Sequence, residues 1–94
     1  MKMEISHKES ETKGSFYIEE DGNRVAEMTY SKAGQGRIII DHTEVGDSLR
    51  GKGAGVQLVQ AAVEHARKEG LKILPLCPFA RSVFSKKREF ADVL

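Results

Sequence analysis

The sequence predicts an α/β fold: a mixed sheet whose N-terminal antiparallel meander is followed by a βαβ unit and a short C-terminal helix. Three observations carry that expectation. Apolar and polar residues alternate with period two through residues 15–30, and strand character returns at 37–45. From Gly53 to Glu69 the apolar positions recur at spacings of three and four, which is one helical stripe. A largely apolar run at 71–76 then follows a single glycine. A strand–helix–strand order makes the two flanking strands parallel.

Each element has its own signal. Met3 to His7 is a short alternating run, and Lys8 to Lys13 reads as a polar turn. Ser15 to Glu19 is the second strand, with Phe16 and Ile18 on one face. Asp21-Gly22 marks a hairpin, because tight turns need a residue that accepts positive φ. Arg24 to Tyr30 returns with Ala26, Met28 and Tyr30 on one face. After the loop Gly34-Gln35-Gly36, Arg37 to Val45 forms the fourth strand. Its run Ile38-Ile39-Ile40 suggests a strand covered on both faces. The helical stripe consists of Val56, Val59, Ala62, Val63 and Ala66, with Leu58 on its flank, and Gly70 is the stop. Leu71 to Leu76 is the fifth strand, where Pro75 points to an edge, a bulge or a splayed position. Pro78 opens a last helix to about Lys87, and Glu89 to Leu94 is a tail. His7 and His65 read as surface residues, and Tyr17, Tyr30 and Phe79 as core or pocket wall.

Composition sets the bounds. The 94 residues make a single domain, 1–94, and the 15 Lys+Arg against 14 Asp+Glu leave a formal charge of +1. That balance argues against holding nucleic acid by bulk charge. The single Cys forms no internal disulfide. No apolar run reaches the roughly 18 residues of a membrane span, and Met1 to Glu4 lacks the apolar core of a signal peptide. The expectation is a cytoplasmic protein, a monomer or weak dimer, with no membrane or nucleic-acid partner.

The strongest chemical signal is Arg50-Gly51-Lys52-Gly53-Ala54-Gly55, between the fourth strand and the long helix. Alternating glycines leave backbone N–H groups uncovered, the helix behind them adds its positive dipole end, and Arg50 and Lys52 add charge. This describes a pyrophosphate cradle. The plain alternative is a loop that needs glycine only to turn. A Walker loop requires Ser or Thr after its Lys, and Gly53 follows Lys52. The dinucleotide fingerprint needs its third glycine three positions after the second, which the spacing 51, 53, 55 does not meet.

The hexapeptide resembles the Arg/Gln-x-x-Gly-x-Gly/Ala signature of the GNAT acetyltransferase superfamily. With His42-Thr43-Glu44-Val45, Leu49 to Gly55, Pro75-Leu76-Cys77-Pro78 and Lys86 to Asp92, the chain looks like a short, truncated GNAT-like group. The resemblance covers most of residues 14 to 94. Ordinary members have helices between their first two strands and further C-terminal strands, and this sequence departs from them in both respects. The resemblance implies an acetyl-coenzyme A binding N-acetyltransferase acting on an unidentified amine. Val45 would pair its backbone with the pantetheine arm, and Arg50, Gly51, Lys52, Gly53, Ala54 and Gly55 would give N–H groups to the pyrophosphate. The alternative is a non-catalytic acyl-coenzyme A binding or sensing module. A nucleic-acid-binding domain using Arg81 to Arg88 is a third, weaker reading, lacking charge and a stacking motif.

The candidate catalytic residues are Cys77, His42 and Glu44. Period-two geometry puts His42 and Glu44 on one strand face, where either could take a proton from an acceptor amine. The alternative is a solvated strand end. Asp41, His42 and Glu44 lack metal-ligand spacing, and no metal is expected anywhere in the chain. Cys77 precedes the Pro that opens the last helix, where the helix dipole favours thiolate. The resemblance implies that a Cys at this place is an acetyl-accepting nucleophile. Against that stands a buried packing thiol. Arg81, Lys86, Lys87 and Arg88 read as a solvated helix end, or as a contact for the ribose phosphate of the cosubstrate.

Overall fold

A computed structural model describes residues 4–94. Its strands are β1 (Ser6–Glu9), β2 (Lys13–Glu20), β3 (Asn23–Ala33), β4 (Arg37–Val45) and β5 (Lys72–Pro75). They form one sheet in the order β1-β2-β3-β4-β5, antiparallel except for the parallel pair β4 and β5. Helix α1 (Ala54–Glu69) joins β4 to β5, and α2 (Pro78–Lys86) follows. Short 3-10 turns lie at Asp47–Leu49 and Arg88–Val93. This is the predicted mixed sheet with a meander and a βαβ unit.

The hairpin at Asp21-Gly22 forms as its residues dictate. Both central residues have positive φ, 52° and 80°, the mirror-image turn that matches strand twist. The first strand is displaced from its expected place. Met3 lies outside the described residues, and pairing with β2 runs from Ser6↔Tyr17 to Glu9↔Gly14, so Lys8 and Glu9 are strand. The turn is shorter than polarity suggested, because Ser10 closes it: its N–H donates to the Lys13 carbonyl at 2.7 Å and its Oγ accepts the Lys13 N–H at 3.2 Å.

One core lies between the sheet and the helices. Phe16, Ile18, Ala26, Met28, Tyr30, Ile38 and Ile40 bury against Leu58, Val59, Ala62, Val63 and Ala66. Leu58 sits inside this stripe and Val56 on its flank, the reverse of the predicted arrangement. The larger side chain claims the deeper position. Tyr30 is buried because Gly14 beside it has no side chain: a Cβ there would lie 2.3 Å from the Tyr30 ring. Ile39 is only half-buried, so β4 is covered on one face and not on both. Among the described residues no helix covers the sheet's other face, and β propensity alone fills that position.

The C-terminal segment is no loose tail. Phe90 and Val93 are buried, and Phe90 meets Phe84 edge-on at 6.2 Å. The guanidinium of Arg67 donates to both Asp92 carboxylate oxygens, at 2.8 and 2.9 Å, and to the Glu89 carbonyl at 2.7 Å. His7 is exposed, as its surface reading predicts, yet its ring stacks on Phe16 at 4.2 Å and 7°, with half-buried His65 edge-on at 4.6 Å. No helix among the described residues is long and apolar enough to cross a membrane.

Candidate functional site

The site grows from a break in the sheet. β4 and β5 pair from Arg37↔Lys72 to Ile40↔Pro75 and no further. The N–H groups of Leu76 and Cys77 both donate to the Ile40 carbonyl at 3.1 Å, and the chain then turns into α2. Pro75 is thus the last paired residue before a splay, one of its predicted positions. Residues 42–45 keep their pairing to β3, from His42↔Thr29 to Val45↔Ala26, but have no strand partner on the β5 side among the described residues. A strand edge with no neighbouring strand is left open, the surface an amide-containing arm can pair with, and its Thr43 amide faces the Cys77 sulfur.

The glycine loop stands at the end of that edge. Gly51 and Gly53 hold φ of 80° and 77°, and neither has another atom within 4 Å of where a Cβ would stand. Gly53 is the N-cap of α1, with no side-chain cap and no acidic residue in the first turn. The N–H groups of Ala54, Gly55 and Val56 therefore meet no partner inside the helix. Not all of the loop is available: the Arg50 N–H donates to the Asp47 carbonyl at 3.2 Å and the Lys52 N–H to the Leu49 carbonyl at 3.1 Å. Free donors are those of Gly51, Gly53 and the first helical turn. Arg50 and Lys52 are exposed, with Arg50 3.0 Å from Asp47. A cavity of about 250 Å³ opens here, lined by Val45, Leu49, Gly51, Gly53, Gly55 and Phe79, among others. Phe79 is a pocket wall, lying so close over Gly55 that a Cβ there would stand 2.4 Å from its ring. Uncovered donors, positive charge and a strand edge fit the phosphate and amide parts of a coenzyme A molecule.

Cys77 is the N-cap of α2 and is buried. Its Sγ lies 3.4 Å from the Thr43 Oγ1. Burial pushes the thiol up, but the Thr43 hydroxyl and the amides of Ala80, Phe79 and Thr43 itself outweigh it and hold the thiol below its ordinary value. Thr43 stands within the motif yet had no role assigned. Its importance comes from a β-bulge: Thr29 pairs with His42 and Tyr30 with Ile40, leaving Asp41 without an opposite residue. Inward positions switch there from Ile38 and Ile40 to Thr43 and Val45, which oppose the buried Met28 and Ala26.

The same bulge sends His42 and Glu44 to the other face. They do share a face, as period two predicts, with Nε2 and Oε2 4.0 Å apart. Their side chains are 64% and 74% exposed. The structure does not gather them with Cys77, whose sulfur meets Thr43 on the helix side. Glu44 lies opposite Glu27, and both line a cavity of about 360 Å³ with Asp47, Val45 and Arg24. Val45 borders this cavity and the glycine-loop cavity alike.

Known proteins share this fold. A family model described as GCN5-related N-acetyl-transferase matches residues 15–93. The solution structure of a GCN5-like candidate N-acetyltransferase from Staphylococcus aureus is 43% identical, with a TM-score of 0.74, over 97% of this chain and 86% of that one. The ribosomal-protein-alanine N-acetyltransferase of Brucella melitensis biovar Abortus 2308 is 20% identical, with a TM-score of 0.68, over 82% of this chain and 62% of that one. For the IAA acetyltransferase of Bacillus cereus the values are 19% and 0.62, over 80% and 53%. The latter two share the fold, and this chain spans only part of their length. No curated protein has significant sequence similarity to it.

Proposed function

The chain belongs to the GCN5-related N-acetyltransferase family, and from that premise we propose that it binds acetyl-coenzyme A and transfers the acetyl group to an amine. One observation carries the reading. A loop with two positive-φ glycines presents unpartnered N–H donors beside a strand edge that has lost its neighbour. Anion and amide recognition are thereby set end to end.

In this reading Gly51, Gly53 and the first turn of α1 bind the pyrophosphate, with Arg50 and Lys52 adding long-range attraction. Val45 and the free edge of β4 align the pantetheine arm toward Cys77. Acetyl-coenzyme A supplies an acyl carbonyl activated as a thioester. Cys77 has a lowered thiol pKa and a hydroxyl neighbour, as a nucleophile needs. Its sulfur attacks the carbonyl, the bond to coenzyme A breaks, and coenzyme A leaves as the thiolate. The amine then attacks the acetyl-cysteine and frees the thiol. If the amine attacks acetyl-coenzyme A directly, Cys77 and Thr43 only line the pocket. In either route the amine enters from the open sheet face. There Glu27 and Asp47 are paired with Arg24 and Arg50, which leaves Glu44 to attract a cationic acceptor, and His42 beside it takes the proton the amine sheds.

A second reading is a non-catalytic acyl-coenzyme A binding module. It is favoured by the exposure of His42 and Glu44, which stand in water rather than in a walled acceptor pocket. Calorimetric titration with coenzyme A, followed by acetyl-coenzyme A consumption with and without a panel of amines, separates the readings. Binding plus amine-dependent consumption is expected. Binding with no consumption by any amine supports the module, and no binding removes both readings.

A further inference from the structure

At the far end of α1 from the glycine loop, three side chains converge from two elements. His7 and Glu9 lie two apart on β1 and therefore share a face, opposite Phe16 and Gly14 of β2. His65 reaches them from α1. One ring nitrogen of each histidine and a Glu9 carboxylate oxygen all lie within 4.8 Å of one another. His7 Nε2 and Glu9 Oε2 are already 3.8 Å apart.

We propose that His7, Glu9 and His65 form a binding site for a divalent transition-metal ion of the zinc class, which staples edge strand β1 to α1. Two imidazoles and a carboxylate are a donor set that such ions take, leaving a fourth position for water. The donors of a tetrahedral zinc site stand about 3.4 Å apart. Closing from 4.8 Å needs rotation of side chains, which the half-exposed His65 can supply.

The surroundings hold the donors in place. Phe16 stacks on the His7 ring and fixes its plane. The hydroxyl of buried Tyr30 lies 2.6 Å from His7 Nε2 and donates to Glu9 Oε2 at 2.7 Å. Lys32 Nζ lies 3.2 Å from the other oxygen, Oε1, so a metal would take the second lone pair of Oε2, beside the Tyr30 hydroxyl. Such outer partners orient metal ligands. There is also something to gain: β1 is a four-residue edge strand with every residue exposed, and it pairs only with β2. A metal bound across β1 and α1 converts its binding free energy into retention of that strand.

The test uses the apo protein in a Cys77→Ser background, so that the thiol does not compete. Calorimetry with Zn²⁺ should show one site per chain, and His65→Gln should weaken it by at least about tenfold. Glu9→Gln, which keeps an acceptor for Tyr30, should weaken it too. Addition of Co²⁺ to the background protein should give tetrahedral-type visible absorption. Its paramagnetic NMR shifts should centre on residues 6–9 and 61–69. Unchanged zinc affinity in His65→Gln, absence of zinc binding, or shifts centred on His42 and Glu44 would each overturn the proposal. The Co²⁺ shifts need no variant to fold, so they decide the matter alone if His65→Gln does not.

Discussion

Gly53 and Gly70 are a matched pair that separates backbone strain from ligand contact. Both cap α1, Gly53 at φ 77°, ψ 16° before it and Gly70 at φ 70°, ψ 33° after it. Neither has another atom within 4 Å of an added Cβ. Alanine therefore meets the same left-handed strain at both, about 1–2 kcal/mol. For a domain of this size each kcal/mol lowers the melting temperature by about 4–8 °C, so Gly53→Ala and Gly70→Ala should melt within a few degrees of each other. Only Gly53 lines the glycine-loop cavity. A methyl there holds a phosphate off the N–H donors, and each charge-assisted bond lost is worth about 1.5–3 kcal/mol. Coenzyme A affinity should fall roughly tenfold to hundredfold in Gly53→Ala and stay at the wild-type value in Gly70→Ala. Thermal melts and calorimetric titration of three proteins suffice. Equal affinities in the two variants would refute the cradle, and an affinity loss shared by both would reduce it to a folding effect.

Acetyl-coenzyme A alone should leave an acetyl thioester on Cys77, seen by mass spectrometry and released by hydroxylamine, while full turnover by Cys77→Ala would establish direct attack by the amine. Thr43→Val removes a hydroxyl that lowers the thiol pKa, so the pH midpoint of Cys77 alkylation should rise; an unmoved midpoint would leave the helix amides as the dominant influence. The pH–rate profile of His42→Ala should lose its lower limb with coenzyme A affinity preserved, and an unchanged profile would return His42 to a solvated strand end. Arg67 holds the Asp92 carboxyl below its ordinary 3.8, with burial opposing. A depressed carboxylate contributes stability above that value and loses it as pH falls through the folded pKa. Asp92→Asn should therefore melt lower than wild type at pH 7, the gap closing below pH 3.8; a gap independent of pH would mean that the hydrogen bonds, not the charge, hold the C-terminal turn.

What was legible in the sequence was what local patterning controls. The Asp21-Gly22 turn, the βαβ order and the Gly70 stop all follow from φ preferences and periodicity, which neighbours in the chain determine. Misreadings fall where a distant partner decides. Lys8 and Glu9 are strand because β2 offers them amides, whatever their polarity. Leu58 outranks Val56 because the sheet presents space for it. The 3-10 turn at Arg88–Val93 exists because Arg67, about 20 residues earlier in the chain, supplies donors to it. Thr43 escaped notice for the same reason: nothing near Asp41 announces a bulge.

That bulge determines what chemistry so small a sheet can hold. Unbroken alternation from Ile38 and Ile40 would carry His42 and Glu44 to the helix side. Two groups that are now 64% and 74% exposed would then be pressed against a core closed by Met28 and Ala26. Burying an unpaired carboxylate there costs several kcal/mol, a large share of the stability of a small domain. With Asp41 looped out, the inward places go to Thr43 and Val45, a hydroxyl for the thiol and an apolar wall for the cavity. The titratable pair stays in water on the opposite face. The splay beyond Ile40↔Pro75 opens the sheet at the same level. In the proposed reaction a thioester lying in that gap would meet the thiol from one side and an amine from the other, so that one inserted residue would separate the desolvated half of the reaction from the half that must exchange protons with solvent.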